Sequence, residues 1–188
     1  MPNYNQTLQT NNSSLEEIIT QLNNMPDAGE GIDVPDYLAE RLNNTLKEYS
    51  SDAVTQIGNY AFYACDVLES ISCPSCTYIA TAPFQNCTAL KSIDIPKCTE
   101  IGGTVFRKCT SLTDVNMPLV RLSSTYSFAE CSSLTSISLP EIRTLGGAMF
   151  QSCSSLEYAY IPNATSIGAM CFQYCSCLST VIIKQTER

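Results

Sequence analysis

A phenylalanine recurs every 22 residues along most of this chain, and no other feature constrains the fold as strongly. The chain contains six phenylalanines, and they stand at Phe62, Phe84, Phe106, Phe128, Phe150 and Phe172. A cysteine comes three residues after each of them, and a leucine three residues after that cysteine. A fixed period of about 20–50 residues is typical of solenoids. The sequence therefore predicts a stack of similar coils, in which each coil contacts only its neighbours.

Each repeat contains the pattern of a short strand followed by a turn. In "SLTSISLP" (133–140), Ile137 and Leu139 alternate with Ser136 and Ser138, which predicts a strand with one buried face. A proline follows in five repeats and ends the strand, because it has no N–H to donate. The segment "AMFQSC" (148–153) is too short for a long helix and predicts a single helical or 3₁₀ turn.

The best-matching stretch, "LKSIDIPKCTEIGGTVFRKC" (90–109), resembles the repeat of BspA-like leucine-rich repeat proteins, and the resemblance extends over residues 57–184. It implies an α/β solenoid, a right-handed horseshoe with short parallel strands on its concave face and helical or 3₁₀ turns on its convex side. Residues 57–188 then form six repeats of 22 residues. Ser123 and Pro83 depart from the family pattern of isoleucine and alanine. Known members are mostly bacterial and protozoan surface proteins involved in adhesion.

The N-terminal part predicts two further segments. Residues 1–30 contain "SSLEEIITQLNN", which indicates a short amphipathic helix followed by a linker. Residues 31–56 are interpreted as an N-terminal helical cap, whose helix (35–54) runs into the repeat register and places Asn43 in the cysteine column and Tyr49 in a strand column. The first helix also resembles leader segments of tail-associated proteins from prophages of Gram-positive bacteria.

Charge and hydropathy narrow the possible partners and locations. The net charge is −8, and residues 1–56 hold nine acidic and two basic residues. Without a basic face, nucleic-acid binding is not expected, and no apolar run is long enough to span a membrane. The N-terminus lacks the basic and apolar regions of a signal peptide. The resemblances imply a cell surface or phage particle, and a cytoplasmic location stays open.

The repeated cysteines are interpreted as structural. They form a ladder of Cys65, Cys87, Cys109, Cys131, Cys153 and Cys175. Because Asn43 stands in the same column, we expect reduced, buried thiols that donate to backbone carbonyl groups. Disulfides between coils remain the alternative, since coils about 4.8 Å apart permit them. "CPSC" (73–76) occupies two inward columns and predicts packing, while Cys171 and Cys177 leave the column and are candidates for exposure.

Catalysis is not expected. The absence of histidine excludes Ser–His and Cys–His pairs and leaves no fourth ligand for zinc beside Cys73, Cys76 and Cys98. Asp94 and Asp114, on neighbouring strands, have roughly the separation of an inverting glycosidase pair. An open sheet would not raise either pKa, so we predict no enzyme and no cofactor.

A ligand-binding strip is predicted on the concave face from the outward strand positions. These are Ser92, Asp94, Asp114, Asn116, Ser136, Ser138, Tyr158 and Tyr160. The predicted function is a binding or adhesion scaffold that recognises a protein or glycan, and the alternative is a structural or assembly protein of a phage or surface particle. Serine and threonine that only keep this face soluble are also consistent with the pattern. An apolar, uncapped last coil, with Ile182 facing outward, further predicts a homodimer through residues 167–184 or coverage of this coil by a different partner.

Overall fold

The chain folds as a solenoid of stacked coils with a 22-residue period, as the sequence predicts. The computed structural model describes residues 46–184. We count the coils from the first inward column, so that coil 1 is residues 57–78 and coils 2 to 6 begin at residues 79, 101, 123, 145 and 167. Residues 46–56 precede coil 1 and contain one short strand and the first residue of a second.

Two kinds of strand alternate along the described residues. Three-residue strands lie on the face that the sequence predicts to be concave, here called the strand face: β1 (Glu48–Ser50), β3 (Ser70–Ser72), β5 (Ser92–Asp94), β7 (Asp114–Asn116), β9 (Ser136–Ser138), β11 (Tyr158–Tyr160) and β13 (Thr180–Ile182). Two-residue strands form a second side, here called the flank: β2 (Gln56–Ile57), β4 (Tyr78–Ile79), β6 (Glu100–Ile101), β8 (Leu122–Ser123), β10 (Thr144–Leu145) and β12 (Ser166–Ile167).

All strand pairs are parallel and join equivalent residues of successive coils. On the flank, β2 to β12 form one continuous six-stranded sheet. On the strand face, Ile71 lies opposite Ile93, and Ile93 opposite Val115. This face is divided into a four-stranded sheet, β1-β3-β5-β7, and a three-stranded sheet, β9-β11-β13. The division falls between coils 3 and 4.

The prediction of helical turns on the convex side is wrong, since residues 46–184 contain no helix. The N–H groups of Tyr60, Phe62 and Ala64 donate to carbonyl groups of the next coil instead, at Thr81, Pro83 and Gln85. An α-helix needs its N–H groups for carbonyls four residues back. Two residues in each coil, such as Tyr60 and Ala64 with φ of 56°, also take left-handed backbone angles, which end any helical run.

The predicted N-terminal helical cap is wrong where the structure describes it. Glu48–Ser50 is a strand, β1, and pairs with β3. Tyr49 lies opposite Ile71, in the strand column that its sequence position predicts. Its ring lies 5.3 Å from that of Phe62, so it covers part of the side of coil 1 that faces away from coil 2. The rest of the cap and the predicted helix in residues 1–30 lie outside the described residues.

A continuous core runs through the coils and is organised around a stack of phenylalanine rings. Successive ring centroids from Phe62 to Phe172 lie 5.0–5.5 Å apart. The rings of coils 1 to 5 are buried, and that of Phe172 in coil 6 is half-buried. Such offset stacks are favourable beyond the area that they bury. The core therefore links each coil to the next along the whole described array.

Candidate ligand-binding face

All eight residues of the predicted strip lie on the strand face, on four successive strands. Ser92 and Asp94 are on β5, Asp114 and Asn116 on β7, Ser136 and Ser138 on β9, and Tyr158 and Tyr160 on β11. An inward-facing residue lies between the two strip residues of each strand, because successive side chains of a strand point to opposite faces. The structure does not join the eight into one sheet, since β5 and β7 belong to one sheet and β9 and β11 to the other.

A run of hydrogen-bonded polar side chains lies across coils 1 to 3. Ser72 Oγ donates to Asp94 Oδ2 at 3.2 Å, and Asn116 Nδ2 donates to Asp94 Oδ1 at 2.6 Å. Thr113 Oγ1 donates to Asp114 Oδ2 at 2.8 Å. Both oxygens of Asp94 are therefore engaged within the face, while Asp114 and Asn116 are exposed beside it. Ser72 and Thr113 belong to this run although they are not among the eight strip residues, and Ser72 occupies one of the same outward positions.

Charged side chains border this polar half at the start of the strands. Glu69 pairs with Lys91 and, at 4.0 Å, with Lys47. The hydrogen bond and the positive charge of Lys91 lower the pKa of the Glu69 carboxyl. These pairs are exposed, so they contribute little to the stability of the fold.

The other half of the face is aromatic. Tyr158 and Tyr160 lie opposite Ser136 and Ser138 in the parallel register of β9 and β11. Tyr158 is 40% exposed, whereas Ala159 between them is fully buried. Tyrosine offers a large contact area at a small cost in conformational entropy. The face thus changes from acidic and amide groups in coils 2 and 3, through small hydroxyls in coil 4, to aromatic rings in coil 5.

The structure gives the two aspartates no arrangement that suits acid–base catalysis. Both carboxylate oxygens of Asp94 accept hydrogen bonds from side chains of the neighbouring coils. Within residues 46–184, no group of three or more cysteine, aspartate or glutamate residues is placed to hold a metal ion. No helix in that range is long and apolar enough to cross a membrane.

Five of the six column cysteines are buried in the core, and Cys175 is half-buried. Each of five column thiols donates a hydrogen bond from Sγ to the carbonyl oxygen of the phenylalanine in the preceding coil, at 2.9–3.1 Å. These are Cys87, Cys109, Cys131, Cys153 and Cys175. Burial raises the pKa of Cys65 and of Cys98 to about 12. All eleven cysteines are free thiols.

Of the two cysteines that the sequence marks as candidates for exposure, only one is exposed. Cys177 is exposed, but Cys171 is buried. Cys171 precedes Phe172 and so occupies the column of Val105 and Met149, which are inward residues. The residues that precede the other phenylalanines could therefore have predicted from the sequence that Cys171 is buried.

The break between β7 and β9 was not predicted. The equivalent strands at the other described junctions pair over all three residues. At this junction the outward residues on both sides, Asp114, Asn116, Ser136 and Ser138, are exposed. Val115 is half-buried, whereas Ile93 and Ile137 are buried. The available sequence signal is Ser123, which departs from the isoleucine column at this junction.

Comparisons with known proteins agree with this architecture. The structure resembles a leucine-rich repeat protein from Bacteroides ovatus with a TM-score of 0.62 and 31% identity, covering 72% of this chain and 36% of that one. It resembles the T. pallidum leucine-rich repeat protein with a TM-score of 0.61 and 23% identity, covering 71% and 78%. A leucine-rich cell surface protein from Faecalibacterium prausnitzii gives 0.61 and 24%, covering 75% and 48%.

The chain thus spans about a third of the length of the Bacteroides ovatus protein. No curated protein sequence matches it. These comparisons do not support the resemblance to prophage tail proteins, which falls on residues outside the described range. A family model described as "BspA type Leucine rich repeat region" matches residues 42–124 and 124–187 in six copies. The chain therefore belongs to the BspA-type leucine-rich repeat family.

Proposed function

We propose that the strand face binds a protein or glycan and that the chain is a non-catalytic adhesion scaffold. The observation that carries the proposal is the composition of this face, where exposed acidic, amide, hydroxyl and aromatic side chains follow one another on adjacent strands above a closed apolar core. Asp114 and Asn116 supply hydrogen-bonding groups, and Tyr158 supplies stacking area. The acidic residues disfavour a nucleic-acid partner, because phosphate groups would be repelled.

The family supports the coarser part of this proposal, since leucine-rich repeat proteins generally serve as non-enzymatic scaffolds that bind proteins. The Faecalibacterium prausnitzii relative is described as a cell surface protein. We extend that location to this chain, which places the strand face where it meets external ligands. Immunolabelling of intact source cells tests the location, and label that appears only after the cells are opened would contradict it.

A double variant tests the binding face. Tyr158→Ala with Tyr160→Ala should abolish binding in a screen of glycans and peptides, because both rings point away from the core. The matched control is Tyr78→Ala with Tyr174→Ala, which removes two tyrosines that are exposed on other sides of the solenoid. If the first variant binds every ligand as the unchanged chain does, the proposal is rejected. A chain that binds no such ligand but forms regular assemblies would favour the assembly role instead.

We also propose that coil 6 associates with a second copy of the chain. Its described residues leave apolar side chains uncovered, with Met170 53% exposed and Ile167 42% exposed. Leu145, in the column of Ile167, is buried in coil 5. Ile182→Lys with Ile183→Glu should convert a dimer to a monomer in sedimentation. An unchanged chain that sediments as a monomer at tens of micromolar would reject this self-association.

A further inference from the structure

The break in the strand face is a real separation of two neighbouring strands. Most Cα pairs between β7 and β9 are more than 8 Å apart, whereas paired strands lie about 4.8 Å apart. An intervening strand needs two such spacings, about 9.6 Å. We call this gap the slot. At the strand face the slot is therefore wider than the spacing of paired strands.

Both walls of the slot present unpaired backbone groups. At the junction of coils 2 and 3, Asp114 N–H donates to Lys91 O and Ile95 N–H donates to Asn116 O, each at 3.0 Å. The equivalent groups at the slot are Ser136 N–H with Thr113 O, and Met117 N–H with Ser138 O. Neither pair forms a hydrogen bond. Strand β7 thus presents unpaired backbone donors and acceptors on one side of the slot, and strand β9 presents a second set of such groups on the other side.

The geometry of the opposite side explains why the slot opens. Ser127 Oγ in coil 4 donates to Gly102 O of coil 3 at 2.9 Å, which ties the two coils together away from the strand face. There the rings of Phe106 and Phe128 come within 5.0 Å and tilt by 28°. The other phenylalanine pairs lie 5.4–5.5 Å apart and tilt by 17° or less. Coils 3 and 4 therefore lie closer together at the phenylalanine stack than at the strand face, and we call this difference their inclination.

Two small side chains permit this inclination. Ser123 and Ser127 stand where coil 3 has Ile101 and Val105. Elsewhere on the flank, glycine N–H groups donate to backbone carbonyls, as Gly168 does to Leu145 O at 2.9 Å. At Ser123 the N–H of Gly146 is instead bonded to the side-chain Oγ, at 3.2 Å. Ser123 and Ser127 both belong to coil 4, so the reduced volume lies beside the slot, whereas the bond to Gly146 joins coils 4 and 5.

We infer that the slot between β7 and β9 binds an extended peptide segment of a partner protein, which completes the sheet as an added strand. The inference rests on the proposed function and names the ligand class of the same face. Extended peptides often bind by adding a strand to an open sheet edge, with the main chain supplying affinity. A glycan has no repeating N–H and C=O groups to match two facing strand edges.

The side chains around the slot specify the peptide further. An inserted strand would alternate, with one side chain pointing inward between Val115 and Ile137 and its neighbours pointing outward. Val115 is half-buried and apolar, which favours a small apolar residue there. Asp114 is exposed on one wall and favours a basic residue beside it, while Ser136 and Ser138 leave space for side chains of moderate size.

A peptide library tests the inference on the full chain. The probe is a synthetic set of short end-capped peptides with a central valine, a lysine before it, a threonine after it and varied flanks. Binding is followed by fluorescence polarisation. The best peptide is then remade with N-methyl groups on alternate amides, which removes the hydrogen bonds to one wall and keeps every side chain. We expect binding about tenfold weaker or worse. If no member binds, or if N-methylation has no effect, the inference is overturned.

A second variant keeps the failure of the inference separate from the failure of the proposed function. Ser123→Ile with Ser127→Val gives coil 4 the residue types that coil 3 has at the equivalent positions. This variant should close the slot and leave every exposed strip residue in place. The control is Leu145→Ile, at a junction that is already closed. We expect the first variant to lose peptide binding and the control to keep it. Retained binding in a variant whose Met117 amide has become protected overturns the inference. Ligands that need Tyr158 and Tyr160 but bind the closed variant normally would leave the proposed function standing.

Discussion

The flank and the strand face follow the same coils, yet only one of them is continuous. On the flank, six two-residue strands pair without interruption from β2 to β12. On the strand face, the pairing stops between β7 and β9 and resumes at β9. The difference indicates that a repeat period aligns the coils but does not fix the angle between them. That angle depends on the volume of the side chains packed between two particular coils.

The largest expected effect concerns the core beneath both sides. Burial raises the pKa of Cys65, Cys73 and Cys98 from 9.0 to about 12. Below pH 9 the folded and unfolded chains keep these protons equally, so the full stability is present. Between pH 9 and 12 the unfolded chain releases protons that the folded chain retains. The free energy of unfolding should therefore fall by about 1.4 kcal/mol per thiol for each pH unit, as measured by denaturant unfolding.

The matched variants for this prediction are Cys98→Val and Cys177→Ser. Cys98 shares its column with Val120, so valine fits the site, and the variant should lose one thiol's share of the pH dependence. Cys177 is exposed, and its replacement should leave the pH dependence unchanged. An identical pH slope in Cys98→Val and the unchanged chain would show that the core is open to solvent.

The next effect tests the phenylalanine stack that holds coils 3 and 4 together behind the slot. Phe106→Ala should lower the free energy of unfolding by about 3–5 kcal/mol, because a buried ring between two others leaves a cavity. Phe172→Ala should cost less, since that ring is half-buried. Phe62 is covered by Tyr49, so Phe62→Ala should resemble the interior site. Equal losses at Phe106 and Phe172 in denaturant melts would contradict the stacked arrangement.

A smaller effect tests whether side-chain volume, rather than the repeat period, causes the break between β7 and β9. Ser123→Ile with Ser127→Val adds apolar volume between coils 3 and 4 and allows the missing ladder bonds to form. We expect a gain of about 1–2 kcal/mol in unfolding free energy. Leu145→Ile, a swap of equal volume, should change it by less than about 1.5 kcal/mol and bring no gain. A double variant that is destabilised and still divided would refute the explanation from volume.

The sequence predicts the parts of the structure that depend on period alone. The inward columns, the parallel register of equivalent residues and the positions of all eight strip residues follow from counting 22 residues. The convex turns were predicted wrongly as helical, because segments such as "AMFQSC" (148–153) do not reveal that their N–H groups bond to the next coil. The slot could not be predicted, since it depends on how Ser123 and Ser127 pack in three dimensions.

The strand face of this solenoid is divided between coils 3 and 4 and is open there. Residue-resolved amide hydrogen exchange on the unliganded full chain tests it most directly. Met117 should exchange much faster than its equivalents Ile95 and Leu139, which donate to Asn116 O and Tyr160 O. Ser136 should likewise exchange faster than Asp114 and Tyr158. Equal protection of Met117 and Ser136 with these four controls would contradict the account.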